Sequence, residues 1–488
     1  MDVPHPLLYE INTRCWLREL SEKHQRPIGL GDVPDSAFEE WRRLGFTHVW
    51  AMGVWISGPR ARAVALSHPD QRRVYNETLP GWTDADIGPS PYAIAEYETP
   101  QELGGEAGLR QFRTKLHSYG LKLILDFVPN HLGLDHPWLD QHPEYFVQST
   151  TQVADTFPRE TTEGVRWFAH GRDPNMPAWT DTVQVDFRAP AARAAMTHEL
   201  QSVAARCDGV RCDMAMLVLN DVFARTWRNF PAAISSVANE REEFWQSAIA
   251  DVKKSFPDFL FLAEVYWNLE SRLQSLGFDF TYDKTLYDRL VARDRTGVQK
   301  HLFGMGTEMV TKCAHFLENH DESRIASILS YAEHRAAALL ILSLPGMRFL
   351  HEGQLIGARV RVPVQMLRRP KEPVDPEVRK IYEQILAVLP QTAVGRGTSE
   401  LLESEDLILI QWQSRGPAFD LITVNPGSRC SQGLAPMKLP SDPPRQWRIN
   451  DLLGNDLRIV SHSDLQHGLP LDLPSYGAQL LHFEQDEP

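Results

Sequence analysis

Four carboxylates of this chain share one local setting. Asp126 lies in Leu121-Lys-Leu-Ile-Leu-Asp126-Phe-Val-Pro-Asn130-His131, and Asp213 closes Gly209-Val-Arg211-Cys-Asp213. Glu264 closes Phe259-Leu-Phe-Leu-Ala-Glu264, and Asp321 closes His315-Phe-Leu-Glu-Asn319-His320-Asp321. An apolar run that ends on an acid is the pattern of a buried parallel strand whose C-terminal end reaches a site. If all four are parallel members of one barrel, four acids, Arg211, His131 and His320 converge on one rim. Taken singly, each acid is more often a helix N-cap or a salt-bridge partner than a catalyst. Taken together, they suit acid–base or nucleophilic work by paired carboxylates. A catalytic metal is the competing reading, but no histidine pair has ligand spacing. His351-Glu352 lacks the second histidine of a zinc motif and reads as a loop pair.

The elements that must position these residues alternate. Pro6 to Ile11 reads as a first strand, Phe38 to Leu44 as a helix, and Gly45 to Met52 as a second strand. A helix over Gly108 to Tyr119, closed by Gly120, leads into the Asp126 strand. Between about His131 and Asp181 the rhythm breaks into a Pro-, His-, Asp- and Trp-rich excursion without helix period. Helix Ala189 to Arg206 leads into the Asp213 strand, and helix Arg241 to Ser255 into the Glu264 strand. Leu276 to Tyr282 is a sixth strand, the Asp321 stretch a seventh, and Gly346 to Leu350 an eighth after helix Ala332 to Leu344. Eight such units predict a closed (β/α)8 barrel, sealed by a helix near Glu377 to Leu389. From about Arg396, short alternating runs such as Leu407 to Gln413 and Phe419 to Val424 predict an antiparallel β-sandwich. The expected division is therefore a barrel over 1–131 and 181–390, an inserted excursion over 132–180, and a C-terminal β-sandwich domain over 396–488.

At 488 residues the chain exceeds one ordinary core, and two to three domains are expected. A net charge of −14 disfavours nucleic acid and anionic membrane, and no long basic run offsets it. A neutral or uncharged substrate fits better. The N-terminus shows no basic segment followed by an apolar core, and no apolar run is long enough to span a bilayer. Five cysteines in so long a chain do not form a disulfide framework, so the expected location is cytoplasmic.

These residues resemble the α-amylase family, glycoside hydrolase family 13, over nearly the whole chain. Asp126-Phe-Val-Pro-Asn130-His131 resembles its first motif, Gly209 to Asp213 its second, Glu264 its third, and Asn319-His320-Asp321 its fourth. Val183-Gln-Val-Asp186-Phe is similar to the weaker motif that closes the excursion, and Ser90-Pro-Tyr92-Ala-Ile to an aromatic loop at the site. The resemblance implies a retaining enzyme working on α-glucosidic bonds by double displacement, without an organic cofactor. Asp213 would be the nucleophile and Glu264 the acid/base, with carboxyls about 5 to 5.5 Å apart. Asp321 would hold the sugar's 2- and 3-hydroxyls, and His131 and His320 would donate to sugar hydroxyls. Tyr92 would form a stacking floor. Arg211 shares the barrel face of Asp213 because strand side chains alternate, and its charge would keep Asp213 ionised. Asp126 would orient Arg211, and Trp267 would stack on an acceptor sugar or simply pack.

The departures bear on specificity. Endo-acting members usually carry Lys and His three and four residues after the nucleophile, where this chain has Met216 and Leu217. Short α-glucosides are therefore expected in preference to starch. Gly53 stands where a proline is common. Asn130 matches a calcium-binding asparagine, so calcium is possible, although the excursion supplies no clear acidic partner set. Alternatives within the fold are a glucosyltransferase or a sugar phosphorylase. Outside enzymes the alternative is a non-catalytic amylase-fold interaction subunit, which the presence of all three acids disfavours.

Overall fold

The computed structural model describes residues 5–162, 164–231, 242–440, 444–454 and 456–486. Eight parallel strands close on themselves: β1 (Leu7–Asn12), β2 (His48–Met52), β3 (Lys122–Phe127), β4 (Gly209–Cys212), β5 (Leu260–Ala263), β6 (Phe280–Tyr282), β7 (Cys313–His315) and β8 (Met347–His351). Each pairs with its chain neighbour, and β8 pairs with β1 in register Leu8↔Phe349 and Glu10↔His351, which completes a (β/α)8 barrel. Strand alternation explains the packing. Leu8, Trp50, Ile124, Leu262, Tyr282 and Phe349 point inward and fill the barrel, while Val49, Leu123, Leu125, Val210 and Phe261 point outward against the helices.

Local chemistry sets the helix ends. Helix Tyr331–Ser343 opens on a capping box between Ser330 and Glu333. Helix Pro376–Val388 opens on Asp375, which accepts from Glu377 and Val378, with Pro376 in the first turn. Helix Gly105–Ser118 ends before Gly120, which takes the left-handed conformation at φ +74°.

Four expectations need correction. β7 stops at His315, so the run through Asn319 and His320 is a buried loop and Asp321 stands six residues beyond the strand. β6 covers only Phe280–Tyr282, because helix Glu270–Ser275 runs up to Leu276 and Gly277 turns the chain at φ +110°. His351 is not in a loop. It ends β8 and meets Arg324 Nη1 at 2.8 Å, a guanidinium that Glu318 Oε1 also holds at 2.6 Å. The helix expected from Arg241 is Phe244–Ser255, and Arg241 itself lies outside the described residues.

The excursion after β3 is small and mostly β. Strand His131–Gly133 pairs antiparallel with Thr182–Gln184, and Gly164–Ala169 pairs with both Thr156–Thr161 and Gln148–Ser149. A single helical turn, Trp138–Gln141, interrupts it. Past residue 396 comes a six-stranded antiparallel sheet with a two-stranded sheet, Ser431–Ala435 with Leu469–Leu473, packed on one face. Its two faces bury different residues. Ile408, Ile410, Trp412, Ile422 and Leu480 join the barrel's outer core, while Leu409, Leu421, Trp447, Leu481 and Phe483 form a core with the small sheet. That is the expected sandwich, fused to the barrel through its other face.

Candidate active site

Asp213 and Glu264 each lie one residue past a barrel strand but stay in its hydrogen-bond ladder. The Asp213 amide donates to the Phe127 carbonyl at 2.9 Å, and the Glu264 amide to the Cys212 carbonyl at 3.0 Å. Alternation from Arg211 and Leu262 then turns both carboxylates inward. Arg211, with no exposed surface, joins them: Nη1 donates to Asp213 Oδ1 at 2.7 Å, and Nη2 lies 2.7 Å from Glu264 Oε2. The second contact is an ion pair only, since the N–H of Nη2 points away from hydrogen-bond geometry. The guanidinium is caged by the rings of Trp50, Tyr92 and Tyr282 at 5.2, 5.4 and 5.7 Å, and its Nε donates to the Tyr282 hydroxyl at 3.3 Å.

The two acids differ in what holds them. Burial raises both above the usual carboxylate range. For Asp213 the charge and the direct hydrogen bond of Arg211 oppose that rise. Glu264 also feels the Arg211 charge, but the negative charges of Asp213 and Asp321 push it further up. Asp321 presses on Asp213 in the same direction, so like charges act on both acids and the pair titrates together. Glu264 Oε2 accepts the Met214 amide at 2.7 Å, and Oε1 accepts the Tyr266 hydroxyl at 2.7 Å.

His320 stands at the opposite wall. Its Nδ1 meets Glu10 Oε1 at 2.5 Å, and its Nε2 lies 2.8 Å from the Tyr92 hydroxyl and 3.0 Å from Asp321 Oδ2. Burial alone would strip its proton, but Asp321 and Glu10 outweigh that and hold it well above histidine's usual range. The same pairing works in reverse on Asp321. Its partly enclosed position works against the charge, yet the His320 imidazolium keeps the carboxyl below the usual range. Asp321 leaves 49% of its side chain in solvent, so it stands at the mouth.

Asp126 does not orient Arg211 by contact, contrary to expectation. Its Oδ1 accepts the Trp50 indole at 3.0 Å and its Oδ2 the Gly53 amide at 2.7 Å, although Arg211 is its partner in the strand register. Burial lifts Asp126 to about 6 against the Arg211 charge. Gly53 is therefore explained: at φ +79° it presents an N–H that a proline lacks. His131 is buried against the Trp179 ring at 4.8 Å, and burial lowers it to about 3, so it is neutral. Trp267 sits just past Glu264, 37% exposed at φ +65°. Met216 and Leu217 are buried in the turn Ala215–Val218, so neither presents a polar group to a ligand.

The residues do not fit a calcium site at Asn130. Its Oδ1 accepts from Gln184 Nε2 at 3.0 Å, and the same nitrogen donates to the Asn130 and Val185 carbonyls at 2.7 and 3.1 Å. Asp186 is taken up by Arg188 at 2.8 and 2.7 Å. An amide nitrogen stands where the oxygens of a cation site would converge. Among the described residues no group of three metal-ligating side chains forms elsewhere.

Sequence reasoning missed Glu10, Trp50, Tyr266 and Tyr282. Glu10 carried a signal, since it shares the inward register of Leu8 on a strand, where an acid needs a partner. Tyr266 carried none, because its contact depends on an irregular turn.

A family model described as "Alpha amylase, catalytic domain" matches residues 43–372. The chain belongs to the α-amylase family. It is 25% identical over 284 residues to the alpha-amylase MalA of Haloarcula japonica, a match covering 57% of this chain and 38% of that protein. It is 26% identical over 206 residues to the alpha-1,4-glucan:maltose-1-phosphate maltosyltransferase of Pseudomonas aeruginosa, covering 40% and 25%. The chain thus spans less than two thirds of the length of these relatives. In fold it resembles an alpha-amylase from Geobacillus thermoleovorans solved with acarbose, at TM-score 0.68 and 18% identity over 99% of each chain.

Proposed function

We propose that the chain cleaves or transfers short α-glucosides by a retaining double displacement, with Asp213 as nucleophile and Glu264 as acid/base. The observation that carries this is the single guanidinium of Arg211 shared by both carboxylates at 2.7 Å, which supports the close separation of about 5 to 5.5 Å that a nucleophilic carboxylate requires. A water cannot be activated between groups so near, so Asp213 attacks the anomeric carbon while Glu264 protonates the leaving oxygen. Asp321, held ionised by His320, takes the sugar's 2- and 3-hydroxyls at the mouth, His320 and His131 border the same ring, and Tyr92 floors it. Trp267 faces the acceptor side. Acceptor oxygens of water, a sugar or phosphate complete the same second step, so hydrolase, glucosyltransferase and phosphorylase differ only in acceptor. The gathered acids speak against an inert interaction subunit.

The buried Met216 and Leu217 support the preference for short substrates, because polar contacts beyond the cleaved bond are lost. Four buried free thiols, Cys15, Cys207, Cys212 and Cys313, support a cytoplasmic setting. Among the described residues no helix is long and apolar enough to cross a membrane. We further assign the barrel to 1–131 and 181–390, the insertion to 132–180 and the sandwich to 396–488. Time-resolved NMR on an aryl α-glucoside and viscometry of soluble starch test the reading. The glucose first formed from the aryl glucoside, whose aglycone adds no reducing sugar, is expected as the α anomer, with starch viscosity falling slowly. A β anomer appearing first contradicts the mechanism, and rapid loss of viscosity contradicts the size preference.

A further inference from the structure

We propose that Tyr266 is a positioning residue that makes Oε1 of Glu264 the proton-carrying oxygen and favours its ionised form for the second step. The proposal rests on the acid/base reading of Glu264. The two oxygens of that carboxyl have unequal neighbours. Oε2 faces the Met214 amide and Arg211 Nη2, each at 2.7 Å, and both are donors without acceptor capacity. A proton on Oε2 would face the Met214 N–H, which cannot accept it, beside the positive charge of Arg211. Oε1 faces only the Tyr266 hydroxyl, at 2.7 Å, a group that can donate or accept.

The backbone around this contact is held in an uncommon conformation. Seven non-glycine residues have positive φ among those described, and three flank Glu264: Met214 at φ +43°, Trp267 at +65° and Asn268 at +58°. Such strain persists only where the surroundings enforce it, and here it accompanies both donors to the acid.

The proton balance follows. In the first step the C1–oxygen bond to the leaving group breaks, Asp213 bonds to C1, and the proton on Oε1 passes to the leaving oxygen. Glu264 is then ionised, and Tyr266 donates its O–H to Oε1. In the second step the acceptor oxygen bonds to C1, the Asp213–C1 bond breaks, and the acceptor's proton goes to Oε1. A donor to Oε1 stabilises the ionised form and lowers its affinity for the proton, so at a given pH Tyr266 keeps more of Glu264 ionised, as the second step needs, and less of it protonated, as the first step needs. Arg211, Asp213 and Asp321 also face Glu264, and Tyr282 stands across Arg211. None of them changes when the Tyr266 hydroxyl is removed.

The test is the pH profile of Tyr266→Phe. On maltose the basic limb of kcat/KM is expected to move up by about one pH unit, since Glu264 keeps its proton longer. On α-glucosyl fluoride, whose fluoride leaves without acid help, release of the glycosyl enzyme on the acidic side of the profile, where less Glu264 is ionised, is expected to slow about 10-fold and to produce a pre-steady-state burst. Placing 3-fluorotyrosine at position 266, a stronger donor of the same shape, should move the limb down, which a packing role would not do. An unchanged limb in both variants overturns the proposal. Glu264→Gln run alongside separates the failures. Unimpaired turnover of maltose by Glu264→Gln sinks the acid/base reading itself, while its loss with normal limbs at position 266 sinks Tyr266 alone.

Discussion

A buried guanidinium costs several kcal/mol unless its charge is met, and Arg211 meets two carboxylates and three rings with no surface exposed. Arg211→Ala should therefore cost about 3–5 kcal/mol of stability at neutral pH. The pH dependence has a definite sign. Burial already raises Asp213 and Glu264, and without Arg211 they rise further. A carboxyl whose folded pKa lies above its unfolded value is favoured below the unfolded value, and that advantage is lost as pH rises. The deficit should shrink on acidification, and urea unfolding near pH 5 and pH 7 reads it. The acidic limb of activity should move up as well, because the nucleophile then ionises later. What was legible here follows from chain distance. Arg211 and Asp213 are two residues apart on one strand, so alternation alone places them together. Glu10 and His320 are 310 residues apart and meet only because the barrel closes.

At the scale of elements, strands β1 to β5 and β8 are readable because each is a mostly apolar run bounded by a glycine, a proline or polar residues. β7 is misread because Phe316 and Leu317 carry the apolar run past His315, and the loop as far as His320 is buried as a strand would be. The small sheet of the excursion escaped notice because its strands are short and partly exposed. The junction of that excursion with the barrel hangs on Gln184, whose Nε2 satisfies three oxygens of Asn130 and Val185. Chelation with EDTA is expected to leave Tm unchanged. Gln184→Leu removes the donor to the Asn130 side chain and the Val185 carbonyl, leaves the Asn130 carbonyl only the Val185 amide, and should lower stability by about 1–3 kcal/mol. A Tm that falls with EDTA and recovers with calcium would show that a cation site exists after all.

For the molecule as a whole, the sandwich shares one continuous core with the barrel. Trp412 is fully buried and donates its indole N–H to the Ser343 carbonyl at 2.7 Å, at the end of a barrel helix. Calorimetry should show one cooperative transition, and Trp412→Ala should lower it by about 3–5 kcal/mol without splitting it. Two separated transitions would mean that the units fold independently. The central claim, that Asp213 attacks while Glu264 hands over the proton, is tested most directly by trapping. A 5-fluoro-α-glucosyl fluoride, slowed in both steps and independent of acid help in the first, should leave one glycosyl group on the protein, and peptide mass spectrometry should place it on Asp213. Label on Glu264, Asp321 or any other carboxylate, or no covalent adduct while the probe is turned over, would contradict the account.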